Sequence, residues 1–204
     1  MNNTMKVAMV IAALASATAV NTAVAKEKGD WLVRFGASNV SPKSDNSDIV
    51  DVDDATSATI NFSYFMTDHV ALELLAAYPF KHNINLKDGT RVGSTKHLPP
   101  TFSVQWHFAP DAQVFSPYVG AGLNYTTFFS TKTQGPLEGT DLDLDDSWGW
   151  AAEVGSDFNL NEKWMLNVSI RYIDIGTKAT LDGASLGTVN IDPWVYGAHV
   201  GFKF

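Results

Sequence analysis

Trp194-Val195-Tyr196-Gly197-Ala198-His199-Val200-Gly201-Phe202-Lys203-Phe204 ends the chain, and its pattern decides the fold. Large apolar or aromatic groups at Trp194, Tyr196, Ala198, Val200, Phe202 and Phe204 alternate with smaller or polar ones at Gly197, His199, Gly201 and Lys203. A period of two is a β-strand with one apolar face. In water, so apolar an edge invites aggregation. It fits the last strand of a closed barrel whose outer face meets lipid, where backbone groups must be paired within the protein.

Seven earlier segments alternate in the same way: Trp31 to Asn39, Ser57 to Phe65, Val70 to Tyr78, Lys96 to Phe108, Pro117 to Phe129, Trp148 to Phe158 and Trp164 to about Ile173. Each has about the 9–11 residues of a tilted membrane strand. The pattern predicts an all-β fold, an eight-stranded antiparallel transmembrane barrel. Short connections (66–69, 109–116 and 160–163) alternate with long ones (41–56, 80–95, 130–147 and about 174–188). In outer-membrane barrels the short turns are periplasmic and the long loops extracellular. With an even strand count, both termini are expected on the periplasmic side.

A soluble barrel with an apolar interior is the alternative. The polar faces argue against it, being mostly Gly, Ser, Thr, Asn and Ala with an occasional Arg34, Glu73, Glu153 or Arg171. A surface facing water carries many more charges. Aromatics also gather at strand ends (Trp31, Tyr64, Tyr78, Phe108, Trp148, Trp164, Trp194), where interfacial girdles sit.

At the other end of the chain Lys6 precedes an uncharged apolar stretch, Val7 to Val20, and Ala23-Val24-Ala25 forms a small-x-small site. Residues 1–25 therefore read as a cleaved secretory signal peptide, and 26–204 as the barrel. The apolar core is too short and too rich in alanine for a spanning helix. Lys6 is the leader's only charge, so the mature chain carries a net −9 against −8 for the whole. That balance argues against a nucleic-acid partner, which needs a basic face. With no cysteine, disulfides and thiolate chemistry are excluded as well.

Nothing in the pattern asks for a cofactor, a metal or a catalytic role. The five histidines (His69, His82, His97, His107, His199) form no metalloprotease motif, and no Gly-x-Ser-x-Gly elbow is present. The acidic run 139–146 lacks the central Gly and terminal Glu of a calcium loop. A lipid-modifying enzyme is a third-ranked alternative. Inward charges in a narrow barrel must be paired or hydrated, so Arg34, Glu73, Glu153 and Arg171 are either an ion-pair filling or a pore lining. Leu75 and Met165 are inward and apolar, and such a collar excludes ions by dewetting. Pro99 and Pro100 interrupt ladder donors within the fourth strand, a candidate lateral gate from lumen to bilayer.

Several stretches resemble the outer membrane protein W family: 31–37 (WLVRFGA), 73–82 (ELLAAYPFKH), 96–101 (KHLPPT), 117–129 (PYVGAGLNYTTFF), 146–149 (DSWG) and 192–196 (DPWVY). The resemblance spans the mature chain. It implies an eight-stranded barrel with a narrow, partly hydrophobic lumen that passes small apolar molecules through a lateral opening. It also implies members that act as receptors for bacteriocins or phage. By that resemblance Arg171 occupies an inward position where the family has a bulky apolar residue, which predicts a pair with Glu73 or Glu153.

The expected function is a narrow outer-membrane channel for small hydrophobic molecules, with a closed receptor or structural barrel as the alternative. Constriction residues are Leu75, Met165, Glu73, Arg171, Glu153 and Arg34. Tyr196, Phe202 and Phe204 form the barrel-assembly signal. Expected partners are the bilayer, lipopolysaccharide, small hydrophobic solutes and the outer-membrane assembly machinery.

Overall fold

A computed structural model describes residues 25–44, 46–47 and 49–204. The expected leader, apart from Ala25, lies outside the described residues. In chain order the strands are β1 (Trp31–Ser41), β2 (Val50–Val52), β3 (Ala55–Phe65), β4 (Val70–Ala77), β5 (Phe80–Leu86), β6 (Arg91–Leu98), β7 (Thr101–His107), β8 (Phe115–Thr133), β9 (Leu142–Leu144), β10 (Ser147–Asn159), β11 (Trp164–Ile173), β12 (Gly176–Leu181), β13 (Ala184–Asn190) and β14 (Trp194–Lys203).

Eight of these close a cylinder by antiparallel pairing in the order β1, β3, β4, β7, β8, β10, β11, β14 and back to β1. The closing pair runs from Leu32↔Lys203 to Ser41↔Trp194. It is extended by mutual backbone hydrogen bonds between Trp31 and Phe204, both at 3.0 Å. Closure leaves no barrel edge, which is how so apolar a terminal strand escapes aggregation.

The expected faces are the observed ones. Phe35, Leu74, Phe102, Trp106, Leu123 and Val154 are exposed, while Arg34, Glu73, Ser103, Gln105 and Glu153 on the alternate positions are buried. Rings pair off at both rims. Trp31 packs with Tyr64, Phe115 with Phe158 and Trp164 with Phe202 at the short-turn end. Tyr125 packs with Trp148, Trp150 with Tyr172 and Tyr172 with Trp194 at the long-loop end. The residues between the two girdles form an apolar belt, the signature of a membrane-spanning barrel.

Two expectations need correction. The fourth strand is not continuous from Lys96 to Phe108. It divides into β6 and β7 at Pro99-Pro100, because neither proline has an N–H to give the ladder. The four long connections also contain strands. β5 and β6 form a hairpin that pairs with β2 on one side and the far end of β8 on the other. β9, β12 and β13 make a separate three-stranded sheet. They order because they bury apolar groups of their own, with Ile84, Val92 and Leu142 forming one cluster. Polar Lys81, Asn83, Asn85 and Lys96 occupy the outward positions of β5 and β6, so this hairpin stands beyond the lipid belt. At Ser130, with φ of 53°, the β6–β8 register slips between Ser94↔Lys132 and Lys96↔Phe129.

Candidate functional site

The inward face is layered from the short-turn end to the long-loop end. At the base Leu32, Phe65, Ala71 and Met165 form a small apolar cluster. Lys203 closes it from below, its Nζ donating to the Ala25 carbonyl at 2.6 Å and lying 3.3 Å from Asp30.

Above it lies an ionic layer. Arg34 donates from Nε and Nη2 to the two Asp157 oxygens at 2.9 and 2.8 Å, and from Nη1 to Ser63 at 3.0 Å and Glu73 at 3.4 Å. Lys26 reaches in from the segment before β1 to donate to Asp157 and Ser116, both at 2.7 Å. Arg171 pairs with Glu73 and, at 2.6 Å, with Glu153. Gln105 bridges the same two carboxylates at 2.8 Å each. Asn167 donates to Asp157 at 2.8 Å and to the Tyr118 hydroxyl at 3.1 Å, and the Arg34 guanidinium sits 5.2 Å from the centre of the Tyr118 ring.

Three cations thus meet three carboxylates, and the layer is neutral. Burying one such ion unpaired costs several kcal/mol, so complete pairing is what makes the layer tolerable. Gly120 makes room for it: a Cβ there would come within 2.7 Å of Glu153 Oε1. Arg34 is 0% exposed, Asp157 0%, Glu73 1% and Arg171 5%. Water would wet the lining of an open pore, and this lining is dry. The layer is a plug.

One inward position above Glu73 sits Leu75, also buried, and one above that is Ala77. Beside them runs a short polar relay, with Thr59 Oγ1 2.9 Å from the Ser38 hydroxyl and 2.8 Å from His199 Nε2. Then the interior turns apolar. Val40, Ala55, Phe80, Ala151, Ile173, Ile175, Ile191 and Val195 form a cluster against which Ala77 and Phe128 pack. Beyond it, among the loop strands, lies a cavity of about 70 Å³ walled chiefly by apolar side chains such as Ile84, Val92 and Leu142.

His82 and His97 belong to that wall. Their rings stack 4.8 Å apart, and His97 stacks on Phe80 at 5.4 Å. His82 Nδ1 lies 2.5 Å from the Asp53 carbonyl. A carbonyl only accepts, so Nδ1 carries the proton and Nε2 keeps a bare lone pair. Both Nε2 atoms are buried without a hydrogen-bond partner, which costs about 1–3 kcal/mol for each such group. Burial pushes the His82 imidazole below its ordinary pKa. It pushes His97 down to about 3, with repulsion from His82 adding to the effect.

The candidate gate is a local absence of ladder. β4 and β7 pair as far as Leu75↔Thr101, and β5 and β6 begin again at Phe80↔His97. Between them, residues 76–79 face Leu98-Pro99-Pro100 without register. The far side of the prolines is held: Asn124 Nδ2 donates to the Pro99 and Pro100 carbonyls at 3.1 and 3.2 Å, and the Tyr125 amide to Pro100 at 3.1 Å. Pro99 is buried and Pro100 exposed, so the gap runs from the interior to the outer surface.

The structure gathers Arg34, Glu73, Glu153 and Arg171 in one network, and Arg171 takes both glutamates rather than one. It places Met165 in the basal cluster, below the plug, and Leu75 above it, so the two do not form one collar. Sequence reasoning missed Asp157, Gln105, Lys26 and the paired His82 and His97. Asp157 was legible by the rule that selected Glu153, since it is an inward carboxylate on the same strand. Lys26 and the histidine pair had no signal, because they meet their partners only through chain reversal. Among the described residues no three His, Asp or Glu side chains cluster as a metal site.

Comparison with known proteins agrees with this architecture. The OmpW family model matches residues 27–204. The chain is 42% identical to outer membrane protein W of Vibrio cholerae serotype O1, with 96% of each chain covered. It is 39% identical to outer membrane protein W of Escherichia coli K12, covering 96% of this chain and 99% of that one. The crystal structure of the outer membrane protein OprG from Pseudomonas aeruginosa is similar at a TM-score of 0.80 and 34% identity, covering 88% of this chain and 98% of that one.

Proposed function

Because the chain belongs to the OmpW family and is an outer-membrane β-barrel, we propose that it is a narrow passive conduit for small hydrophobic molecules. Solutes enter at the long-loop end, taken as extracellular, and leave sideways into the bilayer. The short turns and both termini are then periplasmic, as in barrels of this kind.

One observation carries the reading: an apolar interior lies above a dry, charge-paired plug, past Leu75 and the short polar relay beside it, and next to a gap in the wall. An apolar molecule gains about 25 cal/mol for each Å² it removes from water, so the apolar cluster attracts it. Continuing straight down would mean separating buried ion pairs, each worth several kcal/mol. Ala77 and Phe80, which flank the gap, belong to the same apolar surface, so the sideways path starts from apolar side chains. Leu75 forms the floor of this path, Pro99 and Pro100 its gate. Arg34, Glu73, Glu153 and Arg171 seal the lumen against ions and water, and Met165 backs the seal from below.

Toluene oxidation by an intracellular oxygenase measures passage across the outer membrane. Cells carrying the barrel are expected to oxidise dilute toluene severalfold faster than cells lacking it, while single-channel recordings show no ion conductance. Equal oxidation rates would sink the conduit. They would favour a closed barrel whose loops dock bacteriocins or phage. The completeness of the plug and the ordered sheet of β9, β12 and β13 at the long-loop end support that second reading.

The same reading assigns the remaining partners. Lipid contacts the belt, lipopolysaccharide the outer rim, and the assembly machinery the terminal strand through outward Tyr196, Phe202 and Phe204, whose last two rings lie 5.9 Å apart.

A further inference from the structure

The cavity at the long-loop end has hydroxyls as well as histidines in its wall, and the two are not equivalent. Thr95 Oγ1 is bonded to Thr131 Oγ1 at 3.1 Å. Thr177 Oγ1 donates to the Asp145 carbonyl at 2.6 Å, and the Ser47 hydroxyl accepts the Val50 amide at 3.0 Å. These groups are satisfied within the protein. His82 and His97 are 1% and 2% exposed, and their Nε2 atoms have no partner. The Asp53 carbonyl fixes the His82 tautomer, so its Nε2 can only accept. His97 stays neutral in its apolar surroundings and keeps one bare nitrogen of its own. An acceptor left unmet in an apolar wall favours a ligand that brings a donor.

We infer that this cavity selects, among small apolar molecules, those that carry one hydroxyl or N–H group. The donor meets His82 Nε2, and the hydrocarbon part contacts Ile84, Val92 and Phe128. At about 70 Å³ the partly open cavity is half the 150 Å³ that admits benzene, so it holds a polar head and a few carbons. The solute class rests on the conduit reading above. The site itself is tested apart from it.

The test uses 1-butanol and diethyl ether, isomers of matched size of which only the alcohol can donate. The full chain, labelled with ¹⁵N-histidine and embedded in lipid nanodiscs, is titrated with each, with empty nanodiscs as reference. Butanol is expected to shift the His82 Nε2 resonance saturably and to bind about tenfold more tightly than ether. In His82→Phe the butanol-to-ether affinity ratio is expected to fall to within about twofold of one. Equal affinity of the two isomers for the wild-type chain overturns the inference, as does a ratio that His82→Phe leaves unchanged. Should His82→Phe fail to fold, the wild-type Nε2 shift decides: no saturable shift with butanol overturns the inference. Toluene uptake by whole cells is a separate readout. Uptake without isomer preference leaves the conduit standing and removes the site. Preference without uptake keeps the site and removes the conduit.

Discussion

The two halves of the barrel interior solve opposite problems. The half toward the short turns gathers six charged side chains in one layer and pairs each with an opposite charge: Asp157 alone holds both Lys26 and Arg34, and Arg171 holds both glutamates. The half toward the long loops buries mostly hydrocarbon, yet leaves two ring nitrogens unmet and a stretch of wall unpaired. Crossed ion pairs close the first half, even though Arg171 Nε and Asn167 Oδ1 keep no hydrogen-bond partner there. In the second half the unmet nitrogens lie beside a cavity, which gives it capacity for something from outside. Polarity alone left the charged half open between an ion-pair filling and a pore lining, and the paired layer is the filling.

The sharpest way to break this contrast is at Asp157. Asp157→Ala leaves Lys26 and the main contact of Arg34 uncompensated in a dry layer, and removal of one partner from a buried pair costs about 3–5 kcal/mol. Urea unfolding of the detergent-solubilised barrel is expected to show a loss of that size. A loss below about 1 kcal/mol would mean that water reaches the layer and that it is no plug. The next largest effect tests the other half. Replacing Pro99 and Pro100 together by threonine restores two ladder donors, and toluene uptake is expected to drop about fivefold with the barrel still folded. Uptake that survives the repair would remove the gate from this gap.

The most local test concerns His97. Its pKa in the folded chain, about 3, lies below its ordinary 6.5. Below pH 6.5 the opened segment takes up a proton that the closed one refuses. The stability this confers is complete above pH 6.5 and is lost as pH falls toward 3. The slope for one such group is about 1.4 kcal/mol per pH unit. Hydrogen exchange in β5 and β6 is expected to accelerate between pH 6.5 and 4 in the wild type, beyond the intrinsic rate, and less so in His97→Phe. Identical acceleration in both would place the sensitivity elsewhere.

Particular residues show why some of this was legible in advance. An inward Glu153 is conspicuous because the inward positions around it, 149, 151 and 155, are Gly, Ala and Gly, and an Asp at 157 obeys the same rule. A pair of prolines in an alternating strand announces a fault whatever surrounds it. The loop strands were not legible. Their apolar groups are sparse, and only packing against other loops makes their burial worthwhile, as with Leu142, which clusters with Ile84 and Val92 from a distant hairpin. Met165 and Leu75 look interchangeable as inward apolar residues. Their separation by the plug depends on the axial position of each strand, which neighbouring strands set.

By itself the amino-acid order determined the strands, the lipid-facing side and the closed cylinder, because a period of two is a local property and lipid tolerates no unpaired backbone. Only the tertiary structure decided which inward groups meet. Arg34 finds Asp157 across 123 positions of chain, and His82 finds His97 across a hairpin. Such meetings depend on register and on the closing of the cylinder, and these arise from all eight strands together rather than from any one of them.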